Sequence, residues 1–456
     1  MINEQKINEI LSSNIPVDKT RVREILAQAL ELHGLSALDV AALMPVGDAE
    51  LLHEIYATAK KVKEEIYGKR LVLFAPLYIS NMCHNECLYC AFRASNKALR
   101  RRSLTQEEIA QETQILIAEG HKRLLLVAGE AYVRDGLRYV LDAIATIYGV
   151  KTGTGAIRRI NVNLAPLCLE DFSLLKNAAI GTYQLFQETY HRETYKAMHV
   201  GGKKADYDWR ITAIDRAMMA GIDDVGIGVL FGLADWRFEV LALLQHAEYL
   251  MQKFGVGPHT ISVPRLEPAT GSIIAENPPH AVSDQDFCKM VAILRLAVPY
   301  TGIIMSTRET ANLRRETLAL GVSQISAGSR TNPGGYSSAI DNASQFSLGD
   351  HRSLSEVVYD VAAKGYIPSF CTACYRLGRT GDDFMHLAKT GCIKHMCEPN
   401  ALISFQEYLC DYAPEPTREI GEALIASELE KLPFLARNLV EKYINLIRQG
   451  KRDLFV

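Results

Sequence analysis

Cys83, Cys87 and Cys90 stand at intervals of four and three in the run Cys83-His84-Asn85-Glu86-Cys87-Leu88-Tyr89-Cys90. Three thiols so spaced can share one loop and wrap a compact inorganic core, and thiolates are the usual ligands of iron–sulfur clusters. A cubane cluster held by only these three side chains keeps one iron open to an external molecule. A zinc ion completed by His84 or another side chain is the alternative the same loop could hold. A second set, Cys371-Thr372-Ala373-Cys374, is followed by 22 residues and then Cys397. Its CxxC pair is shared with zinc ribbons and redox motifs. A second three-thiolate cluster is the economical reading of the whole set. Cys168, Cys288, Cys392 and Cys410 follow no ligand spacing.

The elements that must carry these groups come from a chain of 456 residues, 48% hydrophobic and 23% charged, with a formal net charge of -3. That composition buries a large core and excludes disorder for most of the chain. Lys and Arg (50) nearly balance Asp and Glu (53), so no basic surplus points to nucleic acid. No apolar run is long enough to span a bilayer, and Met1 to Ile10 has no signal-peptide core. The expectation is a cytoplasmic protein without a membrane partner, in which ten cysteines do not read as a disulfide framework.

Residues 1–70 read as a helical segment: Val22, Ile25, Leu26, Ala29 and Leu32 recur on one face, and Leu51, Leu52, Ile55, Ala59, Val62 and Ile66 on another. Over 71–355 short apolar runs alternate with helical stretches. The eight candidate strands are Leu71–Ala75, Arg123–Val127, Ile160–Leu164, Tyr183–Phe186, Asp224–Leu230, Thr260–Val263, Ile303–Ser306 and Val322–Ser326. Thr105, Ser283 and Thr307 read as helix starts. The predicted fold class is α/β, a (β/α)8 TIM-type barrel. Residues 356–456 follow as a mostly helical domain, with an amphipathic region from Ile420 to Ile447.

Barrel enzymes place their chemistry just after the strands. The Cys83 loop follows strand one, Glu130 strand two, Gln187 and Glu188 strand four, Arg265 and Glu267 strand six, Arg308 strand seven, and Ser329 and Arg330 strand eight. Polar strand ends are also ordinary, so each residue taken singly is equally well read as structural.

At the first cysteine loop the sequence resembles the radical S-adenosylmethionine (radical SAM) superfamily, whose hallmark is CxxxCxxC with an aromatic, here Tyr89, before the last Cys. The resemblance implies a [4Fe-4S] cluster at Cys83, Cys87 and Cys90 whose open iron chelates SAM and drives its cleavage to a 5'-deoxyadenosyl radical. Ala128-Gly129-Glu130 is similar to the GGE element near the SAM amino group, with Ala for the first Gly. Gly226-Ile227-Gly228 matches the stretch under the nucleoside, and Arg210 matches an arginine that pairs with the SAM carboxylate.

Tyr375 to Met385 and Pro399-Asn400-Ala401 in the C-terminal segment resemble the tyrosine lyases that mature [FeFe]-hydrogenase. So do Phe186 to Tyr190, Val225 to Leu233, Pro258 to Ser262 and Ile325 to Arg330 in the barrel. The thiamine-pathway tyrosine lyases are similar across the barrel but lack the extended three-Cys domain. The resemblance implies an enzyme that cleaves the Cα–Cβ bond of L-tyrosine to p-cresol and dehydroglycine, then forms carbon monoxide and cyanide at an auxiliary cluster. That cluster would be held by Cys371, Cys374 and Cys397, with a fifth iron bound partly by His259, at the barrel end opposite SAM. A reduced electron donor and hydrogenase maturation proteins would be the partners. Arg308 with Ser326 is the candidate pair for the tyrosine carboxylate, with Arg330 or Ser306 as substitutes. A lyase that stops at dehydroglycine, a paralogue acting on another aromatic amino acid, and a non-catalytic iron–sulfur scaffold are the competing readings.

Overall fold

In the computed structural model, which describes residues 1–13, 18–131, 136–338 and 343–456, eight parallel strands close on one another. They are β1 (Arg70–Ser80), β2 (Arg123–Ala128), β3 (Arg159–Asn163), β4 (Tyr183–Gln184), β5 (Val225–Gly228), β6 (Thr260–Ser262), β7 (Gly302–Met305) and β8 (Gln324–Ser326). Each pairs with the next, and β8 returns to β1 through Val72↔Gln324, Leu73↔Ile325 and Phe74↔Ser326. Closure removes the sheet edge and sends all eight C-terminal ends to one mouth. All eight expected strands are present.

β1 continues past the expected Ala75, through Pro76 to Ser80. The run Leu77, Tyr78 and Ile79 is buried and pairs with β2 until the register shifts between Tyr78 and Ser80. Such an irregularity bends a strand out of its ladder, and here it releases the chain into the cysteine loop. Inward residues recur at the period of two that a strand demands: Phe74, Pro76 and Tyr78 from β1, and Leu125 and Val127 from β2, line the interior. Gly226 and Gly228 lie on β5 where neighbours come close. A Cβ on Gly226 would meet Thr260 Oγ1 at 2.5 Å, and one on Gly228 would meet Ser262 O at 2.8 Å.

A ninth strand, β9 (Ile367–Ser369), pairs with Arg70, Leu71 and Val72 of β1, before β2 begins to pair at Ala75. It thereby pins the chain leading into Cys371 at the N-terminal mouth. Arg123 Nη2 donates to the Cys371 carbonyl at 2.8 Å from the start of β2.

The N-terminal segment forms four helices, Glu4–Ser12, Lys19–Ala29, Ala37–Leu43 and Ala49–Tyr67. The last buries Leu51, Leu52, Ile55, Ala59, Val62 and Ile66 and packs on the barrel helix Asp284–Ala297. Each large apolar side chain so buried contributes about 1.5–3 kcal/mol relative to exposure. Thr105 and Ser283 cap helices as expected, Thr105 in a reciprocal capping box with Glu108. Thr307 does not. Its N–H donates to Ser326 Oγ at 3.1 Å, the chain turns, and Thr310 caps the helix Ala311–Leu318 instead. The expected helical region from Ile420 to Ile447 divides into Glu415–Leu429 and Phe434–Arg448 at Pro433, which cannot continue a helix.

Candidate active site

The cysteine loop is held from outside itself. Leu88 N donates to Met198 O, Glu86 N to Gly201 O and Val200 N to Glu86 O, at 2.9–3.0 Å. Within it, Phe92 N donates to Cys90 Sγ at 3.4 Å. β2 approaches so closely that a Cβ on Gly129 would sit 2.2 Å from Met82 O, so only glycine serves in the Ala128-Gly129-Glu130 element. Cys83, Cys87 and Cys90 face one cavity of about 1370 Å³, counting its open mouth, at the C-terminal end of the barrel. Burial pushes all three thiols above the ordinary cysteine range. Binding to iron reverses that preference by stabilising the thiolate. Among the described residues no three His, Cys, Asp or Glu side chains converge as a group for one metal ion. The donor set itself, three thiols lining a roomy cavity, suits a polynuclear iron core with space beside it for SAM.

The cavity wall beside the thiols is an ionic network. Arg210 Nη1 meets Glu130 Oε1 at 2.9 Å, its Nε donates to Phe186 O at 2.8 Å, and its Nη2 lies 3.7 Å from Glu188. Lys204 Nζ meets Glu188 Oε1 at 2.6 Å. Asn85 ties the network to the cysteine loop, donating to Glu130 Oε2 at 2.7 Å and accepting from Lys204 N at 3.0 Å. The Arg210 side chain is 3% exposed, so an unmatched charge there would be costly. Burial favours neutral carboxyls, yet the charges of Arg210 and Lys204 outweigh it and hold Glu130 and Glu188 below the usual carboxylate range. Burial likewise opposes the cations, and the carboxylates overcome it, raising Lys204 and Arg210.

Glu188 adopts φ 71°, a left-handed conformation costly for a non-glycine residue. Carbonyl and amide bonds clamp this turn: Leu230 N donates to Glu188 O at 2.8 Å, and Tyr190 N donates to the buried Glu239 Oε2 at 2.9 Å. Tyr89, the aromatic before the last cysteine, meets His199 Nε2 through its hydroxyl at 2.8 Å. His199 Nδ1 is 2.8 Å from the Tyr195 carbonyl and donates there, so Nε2 is the acceptor.

Arg308, Ser306, Ser326 and Ser329 line the far side of the same cavity. The Arg308 guanidinium lies 3.3 Å from the centroid of the Phe346 ring. Arg330 is exposed and does not line the cavity. Lys204, Asn85 and Gln345 also line it and are not among the site residues expected from the sequence. Gly201-Gly202-Lys203-Lys204 carries only a turn signal, and Gln345 arrives from a loop without periodicity.

Cys371, Cys374 and Cys397 gather at the opposite mouth around Arg70, whose guanidinium all three sulfurs favour electrostatically. Ala373 N donates to Cys371 Sγ at 3.3 Å. His259, immediately before β6, faces the same end: its ring centroid lies 4.3 Å from that of Phe384 and 6.3 Å from that of Tyr375, next to Cys374. Its Nδ1 is 3.8 Å from Asp224, and burial lowers its pKa, favouring the neutral imidazole. Arg159 and Arg123 lie over the Tyr375 ring at 3.8 and 5.3 Å. Arg70 Nε, Arg123 Nε, Arg159 Nε, both carboxylate oxygens of Asp224 and Thr260 Oγ1 are buried without a hydrogen-bond partner. Buried polar atoms are rarely left so. This polar chamber beside three thiols suits an inorganic core with an anionic ligand. Arg70, Arg123, Arg159 and Asp224 are not among the site residues expected from the sequence, where barrel geometry directs attention to the other ends of the strands, and Tyr375 enters there only as the start of the stretch that carries the resemblance.

Residues 77–244 match the radical SAM superfamily, and residues 262–367 match the Biotin and Thiamin Synthesis associated domain. With three cysteines on the loop after the first strand of a closed barrel, the chain is a radical SAM enzyme, a class that works with SAM and a [4Fe-4S] cluster. Its structure matches that of HydG, a maturase of the [FeFe]-hydrogenase, at 50% identity and a TM-score of 0.96, covering 100% of this chain and 99% of that one. HydG from Carboxydothermus hydrogenoformans matches at 44% identity and a TM-score of 0.84, covering 97% of each chain. The 2-iminoacetate synthase of Salmonella typhimurium strain LT2 is 32% identical over 342 residues, 75% of this chain and 88% of the relative. The chain belongs to the HydG family. Among the described residues no helix is long and apolar enough to cross a membrane.

Proposed function

We propose that the chain is a lyase that cleaves the Cα–Cβ bond of L-tyrosine to p-cresol and dehydroglycine at the C-terminal mouth, and converts the fragment to carbon monoxide and cyanide at the N-terminal mouth. The observation that carries this reading is the pairing of two cysteine sets at opposite mouths of one barrel, in a chain that HydG structures cover from end to end while the 2-iminoacetate synthase covers three quarters. The cluster and SAM, once bound, supply the radical that takes a hydrogen atom from the substrate amino group. Every remaining contribution comes from the chain's own residues.

Cys83, Cys87 and Cys90 hold the cluster. Glu130 and Arg210, fixed in their ionised forms, present a carboxylate to the SAM amino group and a cation to its carboxylate. Gly226 and Gly228 keep the floor beneath the nucleoside flat, and Tyr89 closes the cysteine side. Arg308 and Ser326 anchor the tyrosine carboxylate, orienting the amino group toward SAM, where proximity is the main rate contribution. At the other mouth Cys371, Cys374 and Cys397 hold the auxiliary cluster, and His259 offers a neutral imidazole to its additional iron. The basic chamber of Arg70, Arg123 and Arg159 stands beside it. A reduced electron donor and hydrogenase maturation proteins are the expected partners, in the cytoplasm.

Anaerobic reconstitution followed by incubation with SAM, reductant and isotopically labelled tyrosine tests the reading. Label is expected in p-cresol, cyanide and carbon monoxide. Label in p-cresol and a glyoxylate-derived product without carbon monoxide would move the chain to the chemistry of its 2-iminoacetate synthase relatives. Intact SAM and tyrosine, with both clusters loaded, would make it an iron–sulfur scaffold.

A further inference from the structure

Gln345 and Phe346, beyond β8 in sequence, line the cavity, and Gln345 brings a side-chain donor to the cysteine loop. Gln345 is half-buried, and its backbone N–H donates to Thr331 O at 2.9 Å. Its Oε1 accepts from the Tyr78 hydroxyl at 2.8 Å, and its Nε2 lies 3.7 Å from Cys90 Sγ, within donor distance for sulfur. The orientation of the amide follows from charge. A cluster-bound thiolate repels an amide oxygen and attracts the N–H, and a phenol buried as deeply as Tyr78, 5% exposed, stays protonated and donates to the oxygen left on the other side. The next residue, Phe346, lies under Arg308, so one short stretch touches both the cluster ligand and the candidate substrate anchor.

We propose that Gln345 is a positioning residue of the SAM-binding cluster: its amide N–H donates to Cys90 Sγ and raises the cluster's reduction potential. The inference rests on the reading of the Cys83 loop as a cluster site. The reduced cluster carries one more negative charge than the oxidised one, so an N–H dipole aimed at a ligand sulfur stabilises it more. Phe92 N–H supplies one such bond from within the loop at 3.4 Å. Gln345 supplies its bond from 255 residues away in sequence, which makes the electron affinity of the cluster depend on a tertiary contact.

The test is an EPR-monitored redox titration of the anaerobically loaded full-length chain, following the reduced-cluster signal that changes when SAM is added, with iron content measured in each protein. Gln345→Met keeps the bulk and removes the donor. At a fixed poise its reduced-to-oxidised ratio should fall roughly three- to tenfold, tenfold being about 59 mV for one electron. Tyr78→Phe leaves the amide unoriented and should shift the midpoint less, in the same direction. If Gln345→Met fails to load iron, the Tyr78→Phe midpoint carries the test. Midpoints equal to that of the unaltered chain, or moved to more positive potential, with iron content intact, overturn the inference. A lack of any SAM-responsive signal in the unaltered chain overturns it together with the reading beneath it, and is told apart because no midpoint then exists to compare.

Discussion

Glu407 joins the helix that carries Cys397 to the base of the barrel, and its removal should be felt at both. The residue lies on Lys394–Asp411, its side chain 1% exposed. Its carboxylate meets Lys122 Nζ at 3.0 Å and Arg158 Nη2 at 2.5 Å, residues that directly precede β2 and β3, and it accepts from Asp453 N at 2.9 Å. Burial opposes the charge, but the bonds and charges of Arg158 and Lys122 win and bring the carboxyl from its ordinary 4.5 down to about 2. A folded pKa below the unfolded one stabilises the fold fully above the unfolded value and loses that contribution as pH falls toward the folded value. The difference amounts to about 3 kcal/mol at pH 7 and to less than half of that at pH 3. Breaking a buried pair costs about 3–5 kcal/mol by independent reckoning. The lower end applies, because burial already holds the Lys122 ammonium below its ordinary range and it can shed its proton when the carboxylate goes. Urea unfolding of the iron-free full-length chain and of Glu407→Gln, at both pH values, measures the difference without interference from acid loss of clusters. A Glu407→Gln chain within about 0.5 kcal/mol of its parent at pH 7, or a difference that does not shrink at pH 3, would refute the reasoning.

Arg210→Lys should weaken SAM binding roughly tenfold in an equilibrium titration, since one ammonium cannot serve Glu130 at 2.9 Å and Phe186 O at 2.8 Å in the guanidinium's fixed fork. Unchanged affinity would remove Arg210 from the SAM site. His259→Ala should lower the iron count and alter the spectra of the second cysteine set while the SAM-responsive signal stays. An unchanged second set would leave His259 as a packing partner of Phe384.

The division between what could be read from the sequence and what could not follows the direction of the strands. Cys83, Cys87, Cys90, Glu130 and Arg308 sit after strands, and the parallel order of a barrel sends every such position to one mouth, so strand recognition alone was enough to group them. The expected first strand stops at Ala75, where Pro76 breaks the local pattern. Only its pairing with Leu125 and the buried run beyond it reveal a continuing strand. The other mouth follows the same geometry in reverse. Arg70, Arg123 and Arg159 each open a strand, and Asp224 directly precedes one, positions where a lone charge reads as an ordinary solvated end. They converge only because β9 and the helices after it cover that end, burying cations that water would otherwise satisfy. Lys204 and Gln345 were hidden for a different reason: each reaches its partner through loop closure over long sequence separation, 119 residues for the Lys204–Asn85 bond and 267 for the Gln345–Tyr78 bond, and no periodicity survives across such distances. The chemistry assigned to the second mouth therefore depends on tertiary burial in a way that the first does not. Disturbing the packing of the C-terminal helices should affect the second cysteine set before the first, because its basic chamber, built on the barrel strands, is buried only by that cover.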